Sequence, residues 1–443
     1  MAFDGSERVR QIARWITSRP PIAYLIAGWI AFVLGSYPGY MSTESVLQLF
    51  TVRSGDYSDY APVMTAIWGA LEYVVSGPFP MLALQSGLFL FGTAAILRTV
   101  LSPRAAAVAS SFVILFPPVF SVLAVIWPDA LLAGCLVAAA GAAMQPGRRM
   151  KIVAAVLLVV ACACRPEAVV AIIPITLLAL PRRLWWRDAI VALGVTVAIA
   201  GTARLANHLL TVTDTYSWQQ QLQMPDLVGT LRRANVKTEA ALRAALDGLP
   251  LADSSTLVER MTASRDALSP VPLIKGTKRV FEPLASDEQS DALSNAWRAA
   301  ISKHPGAYLT HRWAMTRALL AFTGKWRPVF DDFGSVALME PLHHRATSSD
   351  WQFGMQHVVR WVAKTPLFRP WLYLLLAVIV IVLARKRPLL RNLAISGLVY
   401  ELAMFVLAPA GEYRYSHWMI ASTCIVIAAL AAGRRTSWAR SDV

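Results

Sequence analysis

Charge is scarce in this sequence, and negative charge is scarcest. Only 16% of the 443 residues are charged while 56% are hydrophobic, and 27 Asp and Glu stand against 42 Lys and Arg. A typical soluble domain carries about 25% charged residues, so this composition excludes an ordinary soluble enzyme or binding module. Together with a mean hydropathy of +0.49, it predicts an all-α polytopic membrane protein.

Cysteine is also rare. The 4 cysteines, Cys135, Cys162, Cys164 and Cys424, all lie within apolar runs. Disulfides and a zinc site are therefore poor explanations for them, and we expect four small buried hydrophobic side chains.

Ten apolar segments are candidates to cross the membrane, which takes about 20 apolar residues per helix, or fewer where protein surrounds the helix. They are residues 21–37, 81–100, 105–125, 129–145, 151–164, 167–181, 188–209, 369–385, 390–409 and 416–433. Arg165, Pro166 and Glu167 separate the fifth segment from the sixth, because a charged pair beside proline belongs at a surface or a cavity. Since no small-residue cleavage pattern follows the basic residues 1–19, we expect the first segment to be retained.

The basic residues test this count. The net charge of +15 does not indicate nucleic-acid binding, because Lys and Arg form short clusters between apolar runs, as topology determinants do. Short loops on one side hold only Arg53, Arg165 and Arg414. The other side holds Arg8, Arg10, Arg14, Arg19, Arg98, Arg104, Arg148, Arg149, Lys151, Arg182, Arg183, Arg187, Arg385, Lys386, Arg387, Arg391, Arg434, Arg435 and Arg440. The positive-inside rule then predicts that both termini are cytoplasmic.

Three parts follow from this topology. Residues 1–209 form a seven-span module with a first outer loop at 38–80, and residues 369–443 form a three-span module. Between them, residues 210–368 are predicted to face outward as a mostly helical segment, with helical patterns in TEAALRAALDGL and DEQSDALSNAWRAAISKHP. Its later stretch HRWAMTRALLAFTGKW, at 311–326, is amphipathic and Trp-rich, which is typical of a helix in the membrane interface.

The local motifs carry a resemblance. The first loop reads PGYMSTESVLQLFTVRSGDYSDYAPVMTAIW, and WPDALLA at 127–133, CRPEA at 164–168, AWRAAISKHPGAYLTHRW at 296–313 and EYRYSH at 412–417 accompany it. With the span order, these motifs resemble a bacterial branch of the GT-C superfamily, membrane glycosyltransferases that use polyprenyl-phosphate-linked sugars. Three positions depart from that branch: Ala61 replaces a frequent His, Pro128 a frequent Lys, and Glu167 the usual Asn.

The resemblance implies an inverting glycosyltransferase in the cytoplasmic (inner) membrane. Its partners would be a polyprenyl-phosphate-linked sugar and an envelope glycan, lipid or protein acceptor at the outer face. Two other functions stay open: a transporter or flippase for a lipid-linked glycan, and an envelope-glycan polymerase or ligase. A flippase would favour charges deep in several spans and pseudo-repeated halves, which the sequence does not have.

The first outer loop supplies the carboxylate that such a reaction needs, since a base must take the acceptor's proton. Glu44 follows the first span closely and is our first choice, with Asp59 as its competitor. The sequence also permits simpler roles: S-T-E before VLQLF is typical of a helix start, and SDYAP is typical of a capped turn. Asp56, beside Gly55, is expected to be a turn residue.

The departing phosphate requires cations. Arg165 and Arg414 stand at outward ends of spans, and the guanidinium group fits phosphate oxygens; ion pairs with Glu167 and Glu412 are the alternative. Further candidates for the donor site are Tyr415, Asp129, His311 and Arg312. Each has a simpler interpretation: Tyr415 as an interfacial aromatic residue, Asp129 as an acid at a helix start, and the pair His311 and Arg312 as part of a solvated helix face.

No cofactor is assigned from the sequence. A divalent ion held by Glu44 and Asp59 would have only two acidic ligands, which is too few to support a metal site.

The predicted topology can be tested directly. A single cysteine introduced by Asp56→Cys should react with a membrane-impermeant maleimide added to the outer face of intact cells, since residues 38–80 face outward. A label that reaches this position only from the cytoplasmic side would overturn the whole scheme.

Overall fold

The computed structural model describes residues 19–180, 185–252, 256–263, 268–322 and 349–438. The basic residues before Arg19, the pair Arg182 and Arg183, the end of the predicted interfacial helix at 323–326 and Arg440 lie outside these residues. Across the described part of the chain the regular structure is helical, and β pairing is limited to isolated bridges such as Tyr40 with Val125.

Among the residues that the structure describes, ten helices precede the outer segment. They are α1 (Pro21–Ser36), α2 (Thr43–Ser54), α3 (Pro62–Glu72), α4 (Phe79–Leu97), α5 (Pro103–Leu115), α6 (Pro117–Leu123), α7 (Pro128–Ala143), α8 (Arg148–Cys164), α9 (Ala168–Ala179) and α10 (Trp185–Leu210). Six of them (α1 and α3–α7) have proline in the first turn, where its missing N–H costs nothing because that donor has no intrahelical partner.

The outer segment and the C-terminal module are helical as well. They contain α11 (Met224–Arg233), α12 (Glu239–Ala245), α13 (Leu257–Ala263), α14 (Val271–Ile274), α15 (Asp287–Lys303), α16 (Pro305–Leu319), α17 (Asp350–Val362), α18 (Pro370–Leu383), α19 (Pro388–Leu407) and α20 (His417–Trp438). The two patterns expected to form helices here correspond to α12, capped by Thr238, and α15, capped by Ser286.

All ten apolar segments are helical in the structure. By length and composition, four helices among the described residues suffice to cross a membrane: Phe79–Leu97, Trp186–Leu210, Pro388–Leu407 and Tyr413–Ala432. The chain is thus a polytopic helical membrane protein, and the count of ten remains a prediction. One expected span differs: residues 105–125 form α5 and α6, bent by 69°, because Pro117 and Pro118 interrupt the helical hydrogen bonds.

The outer segment has a hydrophobic core of its own. Met224 and Leu227 of α11, Leu242 of α12, Leu293 of α15 and Phe281, which precedes α15, are buried together, apart from the core of the membrane bundle.

Helices α4 and α7 pack closely, and α7 is buried along almost its whole length. A Cβ at Gly92 of α4 would lie 2.6 Å from the backbone nitrogen of Ala138 on α7. A Cβ at Gly134 of α7 would lie 2.8 Å from the carbonyl oxygen of Gln85 on α4. Small residues thus allow the backbones to touch, which is how helices associate within a membrane.

This contact yields a stability prediction. Gly92→Ala should force α4 and α7 apart and lower the free energy of unfolding by about 1–3 kcal/mol, since backbone atoms cannot give way as a flexible side chain does. The measurement is the thermal midpoint of the detergent-purified protein.

Gly87→Ala, on the same helix, is the matched control. A Cβ there meets no atom within 4 Å, so the midpoint should stay or rise slightly, because alanine favours helix. Equal midpoints for the two variants would contradict the close packing described here.

Candidate active site

The first outer loop is held against the turn between α6 and α7. Tyr40 N–H donates to the Ala124 carbonyl at 2.9 Å, and Ile126 N–H donates to the Tyr40 carbonyl at 3.0 Å. Ser42 caps α2, and the Trp127 indole N–H donates to the Ser42 hydroxyl at 2.8 Å. The start of α2 is therefore fixed to residues 124–127.

Glu44 lies in the first turn of α2, where the helix dipole favours a negative charge. Its Oε2 accepts a 2.6 Å hydrogen bond from Arg414 Nη1, and its Oε1 accepts one from the Tyr60 hydroxyl. Glu44 and Arg414 are 370 positions apart in sequence. Glu44 therefore lies at a helix start, as the simpler interpretation expects, and it also forms an ion pair with Arg414.

Arg414 lies in the short 3₁₀ turn Tyr413–Ser416 that leads into α20. Its Nε donates to Glu412 Oε2 at 2.8 Å and its Nη2 donates to the Tyr415 hydroxyl at 3.1 Å. The guanidinium carbon lies 4.8 Å from the centre of the Trp127 ring. A second arginine also lies close to the Tyr415 ring.

Arg165 is this second arginine. It follows the last residue of α8, and its Nη2 donates to Asp129 Oδ2 at 2.7 Å. Asp129 lies in the first turn of α7. A cation at the end of one helix thus meets an anion at the start of another, which both helix dipoles favour. The guanidinium carbons of Arg165 and Arg414 lie 5.2 Å and 5.0 Å from the centre of the Tyr415 ring.

We call this group the arginine cluster. It consists of Glu44, Tyr60, Trp127, Asp129, Arg165, Arg414 and Tyr415. Five of its members were singled out from the sequence as candidates: Glu44, Asp129, Arg165, Arg414 and Tyr415. The alternative of an Arg165–Glu167 pair is replaced by Arg165–Asp129, whereas the Arg414–Glu412 pair does form.

The side chains of the arginine cluster differ in solvent exposure. The side chains of Arg165 and Asp129 are 6% and 2% exposed, whereas those of Arg414 and Glu44 are 11% and 27% exposed. Burial opposes the charge of Arg165, but the adjacent Asp129 carboxylate raises the pKa of the guanidinium above its ordinary value. Asp129 Oδ1, Arg165 Nε and Glu167 Oε2 are buried without a protein partner, so the inner part retains hydrogen-bonding capacity for a ligand.

Asp59 lies outside the arginine cluster. Its carboxylate accepts hydrogen bonds from Thr215 N–H at 3.1 Å, Ser217 N–H at 2.8 Å and both hydroxyl groups of these residues. Asp56 accepts from the Thr213 hydroxyl. The two acids therefore fasten the first outer loop to the beginning of the outer segment.

His311 and Arg312 are also elsewhere. Both side chains are fully buried, so the alternative of a solvated helix face is wrong: α16 packs these residues against α11 and the end of α19. Arg312 donates to Asp226 Oδ1 at 3.0 Å and to the Phe405 and Ala408 carbonyls at 2.8 Å and 3.1 Å. Burial lowers the pKa of His311, although Asp226 at 3.3 Å acts in the opposite direction.

Sequence reasoning missed Tyr60 and Trp127 as members of the site. Tyr60 directly follows Asp59, and Trp127 opens the WPDALLA motif, so both were visible as neighbours of chosen acids. Their contacts join distant segments, which periodicity does not reveal. Among the described residues, no three His, Cys, Asp or Glu side chains are grouped so that they could hold a metal ion.

Fold and site together define a polytopic helical membrane protein with arginine–carboxylate pairs gathered at one end of its bundle. No protein-family model matches the sequence, and no curated protein matches it.

Solved structures do show a likeness. The oligosaccharyltransferase AglB from Archaeoglobus fulgidus, solved with an inhibitory peptide and a dolichol-phosphate, is 12% identical with a TM-score of 0.41. The match covers 94% of this chain and 50% of AglB, so the chain spans half the length of that protein.

ArnT from Cupriavidus metallidurans, bound to undecaprenyl phosphate, is 16% identical with a TM-score of 0.34, over 91% of this chain and 77% of ArnT. Both neighbours are GT-C superfamily membrane glycosyltransferases. The function of this chain is therefore inferred from its own residues.

The contacts of Asp59 predict a local effect. Asp59→Ala should speed hydrogen exchange at the Thr215 and Ser217 amides by about tenfold or more, because both lose a charged acceptor. The measurement is hydrogen–deuterium exchange of peptides covering residues 212–217.

Asp56→Ala is the control, since Asp56 bonds only to the Thr213 hydroxyl in this segment. Exchange that is equally slow in both variants would show that Asp59 does not hold this segment.

Proposed function

We propose that this protein is an inverting glycosyltransferase of the GT-C type, which moves a sugar from a polyprenyl-phosphate donor to an acceptor at the outer face of the membrane. The observation that carries the proposal is the contact of Glu44 with Arg414, with Arg165 close to the same Tyr415 ring. A carboxylate and two arginines are the groups that the chemistry requires. They come from three distant segments of an apolar chain in which charge is rare.

The two arginines would bind the phosphate of the donor. Guanidinium groups present a planar set of N–H donors that match phosphate oxygens, and they stay charged when they are buried. Asp129 orients Arg165, and both cations contact the Tyr415 ring. During transfer these cations stabilise the negative charge that collects on the departing phosphate.

Glu44 would act as the base. The acceptor O–H or N–H attacks the anomeric carbon, and a new bond forms there while the bond from that carbon to the phosphate oxygen breaks. The acceptor's proton goes to Glu44, and the bonding electron pair leaves with polyprenyl phosphate. Attack opposite the leaving group inverts the anomeric configuration.

The remaining predicted residues have supporting roles in this proposal. Asp59 anchors the first loop to the outer segment, Arg312 anchors the outer segment to the end of α19, and His311 contacts Asp226 within the outer segment. The sugar is a hexose or pentose, and the acceptor is an envelope glycan, lipid or protein. The membrane is the cytoplasmic (inner) membrane, with both termini on the cytoplasmic side.

Substrates can be identified by comparing a deletion strain with its parent. Mass spectrometry of envelope glycans and of the polyprenyl-phosphate pool should show one missing sugar and one accumulated donor. Release of free polyprenyl phosphate by the purified protein in detergent then distinguishes a transferase from a flippase, which moves its cargo unchanged.

The base assignment gives the central prediction. Glu44→Gln keeps the size of the side chain but cannot take the proton, so turnover should fall by about 10²-fold to 10⁴-fold. The assay is transfer from the identified donor, with the thermal melt confirming folding.

Glu72→Gln is the matched control. Glu72 belongs to the same outer loop and pairs with Arg53 at 2.5 Å, away from the arginine cluster, so its loss should leave turnover near the parental value. A folded Glu44→Gln protein with normal turnover would exclude Glu44 as the base and make Asp129 the next carboxylate to test.

A further inference from the structure

Every arginine of the cluster is already neutralised. Arg414 donates from all three guanidinium nitrogens, to Glu44, Glu412 and the Tyr415 hydroxyl. Arg165 is paired with Asp129. Three carboxylates thus face two guanidinium groups, and the resulting site does not attract an anion strongly by its net charge.

A phosphate must therefore compete with a carboxylate for Arg414. Both anions use the same N–H donors of the guanidinium group, and a bidentate phosphate needs two of them. Of the two pairs, Glu44–Arg414 is the more accessible, whereas Asp129–Arg165 is almost completely buried. Breaking a buried pair leaves an uncompensated charge, so exchange takes place more easily at Glu44.

We propose that the phosphate of the lipid-linked donor displaces Glu44 from Arg414 and thereby frees the catalytic base, so that the donor binds before the acceptor. This inference rests on the proposed function. While Glu44 is paired with the Arg414 cation, its Oε2 accepts a guanidinium N–H and is not available to an acceptor. Transfer of Arg414 to the phosphate removes that cation only when a donor is present.

The same exchange accounts for release of the product. After transfer Glu44 carries the proton and no longer attracts Arg414, while the phosphate monoester has gained a charge of up to about −1 relative to the donor diester. Loss of the proton from Glu44 restores its attraction for Arg414 and helps to expel polyprenyl phosphate. Glu44 therefore opposes binding of the phosphate in the resting protein.

This opposition is measurable without knowledge of the sugar. The probe is undecaprenyl phosphate, titrated into the full-length protein in nanodiscs and followed by native mass spectrometry. Glu44→Gln should bind it about threefold to tenfold more tightly than the parent, because an apparent affinity falls with the fraction of sites that are competent. Glu72→Gln, which breaks a comparable pair outside the cluster, should leave the affinity unchanged.

A double-mutant cycle separates competition from simple charge repulsion. In an Arg414→Gln background, Glu44→Gln should no longer tighten binding if the effect passes through Arg414. Equal tightening with and without Arg414 would overturn the exchange, since it would show direct repulsion between Glu44 and the phosphate. Thermal melts of each variant confirm that the compared proteins are folded.

Two further ligands identify what is bound. Undecaprenol, which lacks the phosphate, should bind the parent and Glu44→Gln with equal affinity. Inorganic phosphate should bind both weakly, and Glu44→Gln more tightly than the parent. If the parent binds undecaprenyl phosphate no better than undecaprenol, the proposed donor class fails. If it binds the phosphate but Glu44→Gln does not bind more tightly, only the exchange fails.

Discussion

The architecture of the site follows from one constraint: a charge placed within an apolar bundle needs a partner. Arg165 meets Asp129 between the end of α8 and the start of α7, and Arg312 meets Asp226 and the last carbonyls of α19. Each pairing joins segments that are far apart in sequence and fixes the geometry of the backbone between them. Glu44 and Arg414 obey the same rule at the most accessible position, where exchange with a ligand costs least.

Much of the fold was predictable because apolar length and helix-start signals are local properties of the chain. All ten apolar segments are helical, and the break at Arg165–Glu167 separates α8 from α9 as expected. The bend at Pro117 was overlooked because hydropathy stays high across it. Rare charges at the ends of apolar runs identified Glu44, Asp129, Arg165 and Arg414, since such charges persist only with partners.

Other features depend on which distant segments meet, and a single sequence does not contain that information. His311 and Arg312 lie in a polar, Trp-rich stretch, which is typical of a solvated or interfacial helix face. In the structure both side chains are buried in contact with Asp226. Asp59 competed with Glu44 for the role of base because both are acids of one short loop. Only the tertiary fold distinguishes the acid that meets Arg414 from the acid that binds Thr215 and Ser217.

The separate hydrophobic core of the outer segment has an evolutionary consequence. Its interior can accept substitutions without disturbing the arginine cluster, because the two cores share no residues. Several contacts attach it to the rest of the protein: Asp59 holds the entry at Thr215 and Ser217, Arg312 holds the end of α19, and Met315 and Leu319 of α16 pack into the core of the membrane bundle. A lineage that preserves these attachments can remodel the intervening surface freely, and such a segment is a natural candidate for domain exchange between related proteins.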